Sequence, residues 1–449
     1  MRPQTAAPPW PEPSPSPGGS WVSRVRGSVR GAKAEAREHA DLVRGGGYMV
    51  AALGIQAVGS VLFWIVAAHV AGATRVGVAA ALLSAGAFVG YLTNLGLTFT
   101  IGRMDGADGD SERFQIAIAI VIAFATTFVG AIGYWIVSGS AGGVGSSWAT
   151  PAMFALVTGL ASVAPLVDVR ALVLRRPAVP LKRASSVAVA RVGLILVLGN
   201  ALHGTGIFFA ASVPDAVAGI VLAVWLTRGA RLGDRWAQRG QLIQMARYSG
   251  FAYLSSLAMN APIFVIPVLV LTRVGDRAYA SFYVAWSIAV VVIMAANAAM
   301  MALHVEGGRG GRRLDRQLSI SIQLTVAGTT MVFLASLVAA PLLPWVYGPG
   351  FHAAAVLLPW FLAGAIPWSV TLLILAHARV TMDYWASLGI AALNAACCLI
   401  AVGGLTGHHN VHGAAVGWVI GTTVAAVAAT LLGHVREPAR ASEFPAIDP

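Results

Sequence analysis

The sequence predicts an all-α polytopic membrane protein, with twelve transmembrane helices in two pseudo-symmetric lobes of six. Composition, run length and charge placement predict it. Of 449 residues, 57% are hydrophobic and 11% charged, less than half the charged share of about 25% usual in soluble domains. That balance excludes disorder and an ordinary soluble enzyme. Apolar runs of about 20 residues, the length that crosses hydrocarbon, recur between short polar breaks. They are apolar all round, without the alternation of barrel strands, so they are helices. The 50 glycines suit helices packed closely in lipid.

Residues 1–44 read as a tail. Its start, PPWPEPSPSPGG, is low in complexity and expected to be disordered. From Trp21 to Arg44 it turns basic, which suits a cytoplasmic segment lying on anionic membrane lipid. The first apolar run starts near Gly45, too late for a cleavable signal peptide. An N-lobe, 45–226, holds spans at 46–70, 78–102, 115–138, 151–174, 185–203 and 206–226. A basic linker, 227–249, follows, in which Arg235–Arg247 suits an interfacial helix. A C-lobe, 250–433, holds spans at 250–272, 281–303, 318–340, 354–376, 385–404 and 414–433, before a C-tail, 434–449. Six is even, so both halves enter from the same side, as parallel repeats do. The turns Gly72–Gly77 and Gly275–Ala280 echo each other at equivalent places.

Charge placement gives the orientation. Of the 30 Lys and Arg residues, 25 fall in segments assigned to the side of the N-terminus. Three (Arg75, Arg273 and Arg277) fall on the other side, and Arg170 and Arg191 lie within spans. Positive charge stays cytoplasmic, so both termini are expected there, in a cell membrane. The net charge of +12 is therefore topology, and no nucleic acid is expected as partner. Trp135, Trp148, Trp225, Trp345 and Trp385 fall near span ends, as in an interfacial aromatic belt, whereas Trp64 and Trp286 fall mid-span. Cys397 and Cys398 are adjacent in an apolar run and read as small apolar residues. His408, His409 and His412 read as a polar loop, and no metal site or cofactor is expected.

Charges inside spans cost about 3 kcal/mol or more each and are usually functional. Arg170 lies five residues from Arg175, and either snorkels to the interface or serves a function. Asp168 and Arg191 fall at similar depth on consecutive antiparallel helices when Arg183 is taken as a loop residue. They suit an ion pair, as a lock between helices or as part of a cavity that meets an anion. Asp215 follows Pro214; it is either a mid-membrane carboxylate at a broken helix, fit to bind a coupling proton or sodium ion, or an outer-loop residue. Asn94, Asn260 and Asn297, with Gln56, Asn200 and Asn394, are amides within spans, for a hydrated cavity or for bonds between helices. No Walker A motif, catalytic triad or paired carboxylate in a polar loop is present in the sequence, so no enzymatic activity is expected.

Four segments carry a family resemblance. Leu343–Ala355 (LPWVYGPGFHAAA) resembles the glycine-proline signature after span nine of Wzx-type polysaccharide flippases. Thr93–Arg103 (TNLGLTFTIGR) is similar to their close of span two, and His412–Gly417 (HGAAVG) to the start of their last span. Gly72–Gly77 resembles their first outer turn, with Ala73 for the usual proline and Val76 for the aromatic. The resemblance implies a MATE-like, V-shaped pair of six-helix lobes around a central cavity. It implies flipping of a polyprenyl-diphosphate-linked oligosaccharide, with a glycan polymerase or glycosyltransferases as possible partners. Arg170 and Arg191 are the candidates, by chemistry, to neutralise the diphosphate. Lipid II flippases commonly have fourteen spans. MATE exporters share the twelve and have carboxylate-bearing sites, for which Asp168 and Asp215 stand ready. A non-transporting scaffold of a glycan assembly complex is a third reading.

Overall fold

The computed structural model describes residues 21–102, 110–138, 149–199, 205–228, 239–307, 314–381 and 383–440. Among them every regular element is a helix. The first half holds α1 (Trp21–Thr93), α2 (Leu97–Gly102), α3 (Asp110–Ser138), α4 (Ala149–Ala161), α5 (Val163–Val173), α6 (Ala178–Leu198) and α7 (Thr205–Thr227). The second holds α8 (Arg239–Leu271), α9 (Asp276–Gly307), α10 (Leu314–Ala339), α11 (Leu343–Tyr347), α12 (His352–Val380) and α13 (Tyr384–Arg440). The expected linker falls partly outside the described residues, and its remainder, from Arg239, continues helically into the next span. The basic N-terminal stretch likewise runs as helix from Trp21 into the first span.

Ten described stretches are long and apolar enough to cross a membrane. The first, Ala51–Thr93, has 43 residues, about 65 Å of helix and twice a hydrocarbon core. It is two spans: Gly72, at φ 76° and ψ 168°, breaks the helix midway. That backbone conformation is open to glycine and strained for other residues. Helix α6 has 21 residues, enough to span, and carries Lys182, Arg183 and Arg191, which mask it by composition. The described helices are thus compatible with twelve spans. Two further devices keep them short. In α13, backbone around Gly417 and Gly421 lies against Ala401 and Cys398: a methyl on Gly417 would fall 2.7 Å from the Ala401 oxygen. The chain therefore folds back between Thr406 and Val411. In the fourth span, Ser162 separates α4 from α5, and its hydroxyl donates to the Gly159 carbonyl at 2.7 Å.

Helices α8, α9, α12 and α13 pack on one another, as do α1, α3, α4, α6 and α7. The C-terminal half is cored by indoles: Trp286 meets Trp418 edge-on at 5.0 Å. Trp418 also donates Nε1–H to the Phe361 carbonyl at 3.0 Å. Trp64 and Trp286 are buried, while Trp345 is 87% exposed and Trp385 is exposed, so core and belt indoles separate as their positions predicted. Cys398 is buried and, like Cys397, a free thiol. Much exposed surface is apolar, including Val58, Val129, Val189 and Met331, as lipid-facing helices require.

The halves close on each other at the Gly72 end. Gly77 lies directly against the Asp276 carbonyl, with no room for a Cβ, and Gly350 lies against Ala73. The Ser84 and Tyr279 hydroxyls share a hydrogen bond of 2.7 Å, and Trp64 meets Tyr283 edge-on at 5.2 Å. The echoed turns after spans one and seven thus touch, although Gly72 adopts positive φ and Gly275 does not. At the arginine-rich end, among the described residues, tyrosines join the first half to α8. Tyr253 donates to the Leu92 carbonyl at 2.7 Å, Tyr91 donates to the Ser256 carbonyl, and Tyr91 stacks on Phe264 at 4.4 Å.

Gly77→Ala is expected to lower thermal stability in detergent by about 1–3 kcal/mol, because its methyl must displace backbone. Gly54→Ala, with nothing within 4 Å of its Cβ, is expected to be neutral or to gain up to about 1 kcal/mol in helix propensity. Melting curves of the two variants side by side check this.

Candidate functional site

A cavity of about 610 Å³ lies between the halves, within the size range of small-molecule sites. The first two spans contribute Leu53, Gln56, Ser60, Ser84 and Ala87; α8 contributes Ile263, Phe264 and Pro267; α9 contributes Tyr283, Trp286, Ser287, Val290 and Met294. The closed contacts at Gly77, Tyr279 and Trp64 form its roof. From this roof the lining extends to Leu53 and Gly54 on one half and to Val291 and Met294 on the other. The wall is mostly apolar, and among the described residues that line it Arg191 is the charged one.

Arg191 is held by a chain of charges running back through the N-terminal half. Its Nε donates to the Ala211 carbonyl at 2.8 Å, and its NH2 pairs with Asp215 Oδ2. Asp215 Oδ1 accepts from Arg183 NH1 at 2.7 Å. Arg183 then grips Asp168 with Nε at 2.9 Å and NH2 at 2.5 Å. Two guanidinium groups and two carboxylates alternate across α5, α6 and α7. The Arg183 side chain is only 8% exposed. The bidentate grip on Asp168 is the geometry a planar guanidinium forms best.

This corrects the expected Asp168–Arg191 pair: Asp168 bonds Arg183, and Arg191 bonds Asp215. The reason lies in the turn. Arg183 is in the second turn of α6, not in a loop. Depth counted from the true turn at Arg175–Arg176 puts Asp168 and Arg183 level, each seven residues away. The outer-loop alternative for Asp215 is also corrected: it sits inside α7, directly after Pro214. Arg170 is fully buried, at 0% exposure, in α5, which excludes snorkelling, and it is not among the cavity lining. Asn94 lies at the turn after α1, where its side chain accepts from Thr98 at 3.4 Å. Asn260 donates to the Ser256 carbonyl of its own helix at 3.0 Å. Neither lines the cavity. Asn200 and Trp148, and the side chains of Asn297, His408 and His409, lie outside what the structure describes. Gln56 is the amide that does reach the cavity. Sequence reasoning missed Arg183. It also missed Arg379, whose NH2 donates to the Ser255 and Ser256 hydroxyls at 3.1 Å each, tying α12 to α8.

Comparison with solved structures places this architecture. A multidrug resistance MATE family transporter of the MOP superfamily, in its inward-facing conformation, matches with a TM-score of 0.66 over 88% of this chain and 99% of that one, at 17% identity. An outward-facing MATE transporter matches at 0.58 over 90% and 97%, at 18% identity. The fold is that of the MATE transporters. A MOP superfamily transporter from Pyrococcus furiosus, described as having a binding pocket of reverse polarity, matches this MATE-like fold at 0.56 over 89% and 96%, at 16% identity. No protein-family model and no curated protein matches the sequence. Identities this low carry the MATE fold and leave the chemistry to the residues themselves.

The charge chain has a measurable signature. Arg183→Met strands Asp168 and is expected to cost about 3–5 kcal/mol, while Arg183→Met with Asp168→Leu is expected to recover most of that loss. Thermal melts of the single and double variants check it. A double variant no more stable than the single would mean that the pair is not the unit described.

Proposed function

We propose that this chain is a flippase that carries a polyprenyl-diphosphate-linked oligosaccharide from the cytoplasmic to the outer leaflet by alternating access, without enzymatic chemistry. Arg191 carries the reading. Among the described residues of a mainly apolar cavity wall it is the cation, and a guanidinium is the side chain best matched to phosphate oxygens. Gln56, Ser60 and Ser287 in the same wall offer hydrogen bonds to sugar hydroxyls. The positive-inside rule makes the arginine-rich side cytoplasmic, and the glycan would load from there.

Asp215 is the coupling candidate. It holds Arg191 and Arg183 together, so an arriving diphosphate competes with its carboxylate for Arg191. Asp168, satisfied by Arg183, serves as the anchor of the chain.

The runner-up is a cation-coupled exporter, which the likeness in fold to multidrug MATE transporters favours. Against it, the carboxylates Asp168 and Asp215 both face arginines, and neither is among the residues that line the cavity. A cationic drug would meet a positive charge there. The Pyrococcus furiosus transporter's reported reverse pocket polarity and suggested different function support reading substrate class from pocket charge within this fold.

Proteoliposomes loaded with a polyprenyl-diphosphate oligosaccharide test this, with glycan exposure on the far leaflet as the readout. Arg191→Gln is expected to slow flipping about 10- to 100-fold, the worth of one or two charge-assisted bonds. Flipping unaffected by Arg191→Gln would remove Arg191 from the mechanism. Absence of flipping, with ion-driven efflux of organic cations instead, would assign the exporter activity.

A further inference from the structure

Two hydroxyls share the cavity wall with Arg191. Ser84, on the second span, and Tyr283, on α9, both line the cavity. The Tyr283 hydroxyl interacts with both Arg191 and Ser84. Its ring meets Trp64 of the other half edge-on at 5.2 Å, so a contact across the halves sets its place. Behind Ser84 lies Tyr279, one helical turn before Tyr283 on α9. Tyr279 is fully buried, and its hydroxyl shares the 2.7 Å bond with the Ser84 hydroxyl. A buried phenol needs a hydrogen-bond partner, and Ser84 is the partner it has here. Arg191 and Ser84 belong to the N-terminal half, and Tyr279 and Tyr283 to the C-terminal half. Polar groups from α1, α6 and α9 thus converge on one part of a mainly apolar wall.

We propose that Ser84 and Tyr283 complete an anion subsite with Arg191 that takes a phosphate group of the cargo, and that Tyr279 positions Ser84 within it. The proposal rests on the flippase reading above. A hydroxyl has one hydrogen to give and two lone pairs to receive. When Ser84 donates to a phosphate oxygen, a lone pair remains for the Tyr279 O–H. The bonds then run in one direction, from Tyr279 to Ser84 to the anion, and each polarises the next. An O–H donor bonds an ionised oxygen more strongly than a neutral one, so this part of the wall favours phosphate over sugar hydroxyls. The donors come from both halves. A bound phosphate therefore ties the halves together, with Arg191 and Ser84 on one side of it and Tyr283 on the other. The Tyr279–Ser84 bond lies in the roof, so filling the subsite also strengthens closure at the Gly72 end.

Calorimetric titration of the full-length protein in phosphatidylcholine nanodiscs tests this. Farnesyl diphosphate is the probe, farnesol its uncharged counterpart, and empty nanodiscs the blank. Farnesyl diphosphate is expected to bind, and farnesol to bind about tenfold more weakly or less. Ser84→Ala and Tyr283→Phe are each expected to weaken diphosphate binding about tenfold, the worth of one hydrogen bond to a charged group. Tyr283→Phe removes one oxygen and keeps the ring beside Trp64, so it reports the hydroxyl even where Ser84→Ala loosens the roof. Tyr279→Phe is expected to weaken binding about twofold on its own and to add nothing to Ser84→Ala, because it acts through Ser84. A purely structural tyrosine would cost the same in both backgrounds, and that result would overturn the positioning role. Binding lost in Arg191→Gln but unchanged in Ser84→Ala and Tyr283→Phe would overturn the subsite and leave the flippase reading standing. Farnesol binding as tightly as the diphosphate would also overturn the subsite. No binding of the diphosphate by the unaltered protein would overturn the subsite and the flippase reading together.

Discussion

A charge placed in hydrocarbon must find its opposite, and the architecture of the N-terminal half turns on how it does so. Asp168, Arg183, Asp215 and Arg191 satisfy one another in sequence across α5, α6 and α7. The chain fixes the rotational setting of three helices at once, because each carboxylate must meet a particular guanidinium. Its last member, Arg191, stands in the cavity wall between the halves. Arg191 is thereby aimed: its Nε is spent on the Ala211 carbonyl and its NH2 on Asp215. An anion in the cavity meets a guanidinium whose position is already set, which lowers the cost of ordering on binding.

The two ends of the interface between the halves are built from different materials. At the Gly72 end backbone meets backbone at Gly77 and Asp276, and the Ser84–Tyr279 hydrogen bond and the Trp64–Tyr283 contact flank it. At the arginine-rich end the described contacts are tyrosine hydroxyls on carbonyls, from Tyr91 and Tyr253. The first seal leaves no room for a side chain at Gly77. The second is a pair of directional bonds that can be exchanged for water when the helices part.

How much of this was legible in the sequence follows from what hydropathy measures. Run length and charge placement report depth and sidedness, so the spans, the two halves and the in-membrane position of Arg191 could be read directly. They do not report rotation about a helix axis. Asp168 and Arg191 were matched by depth alone, and the true pairing runs through Arg183, which its charge had consigned to a loop. The turn at Arg175–Arg176 held the missing signal, because counting from it sets Asp168 opposite Arg183. The amides show the same limit. Asn94 and Asn260 lie at membrane depth yet bond within their own segments, whereas Gln56, an amide of the same set, faces the cavity beside serines that the sequence did not distinguish.

The alternating chain of two arginines and two aspartates is electrically neutral. A transmembrane potential does work on net charge carried through it, about 2.3 kcal/mol per elementary charge for each 100 mV. Shifting this neutral ion chain along the field, without turning it, would therefore cost or yield almost nothing. An anion bound beside Arg191 would break that balance, and the same movement would then carry charge across the field.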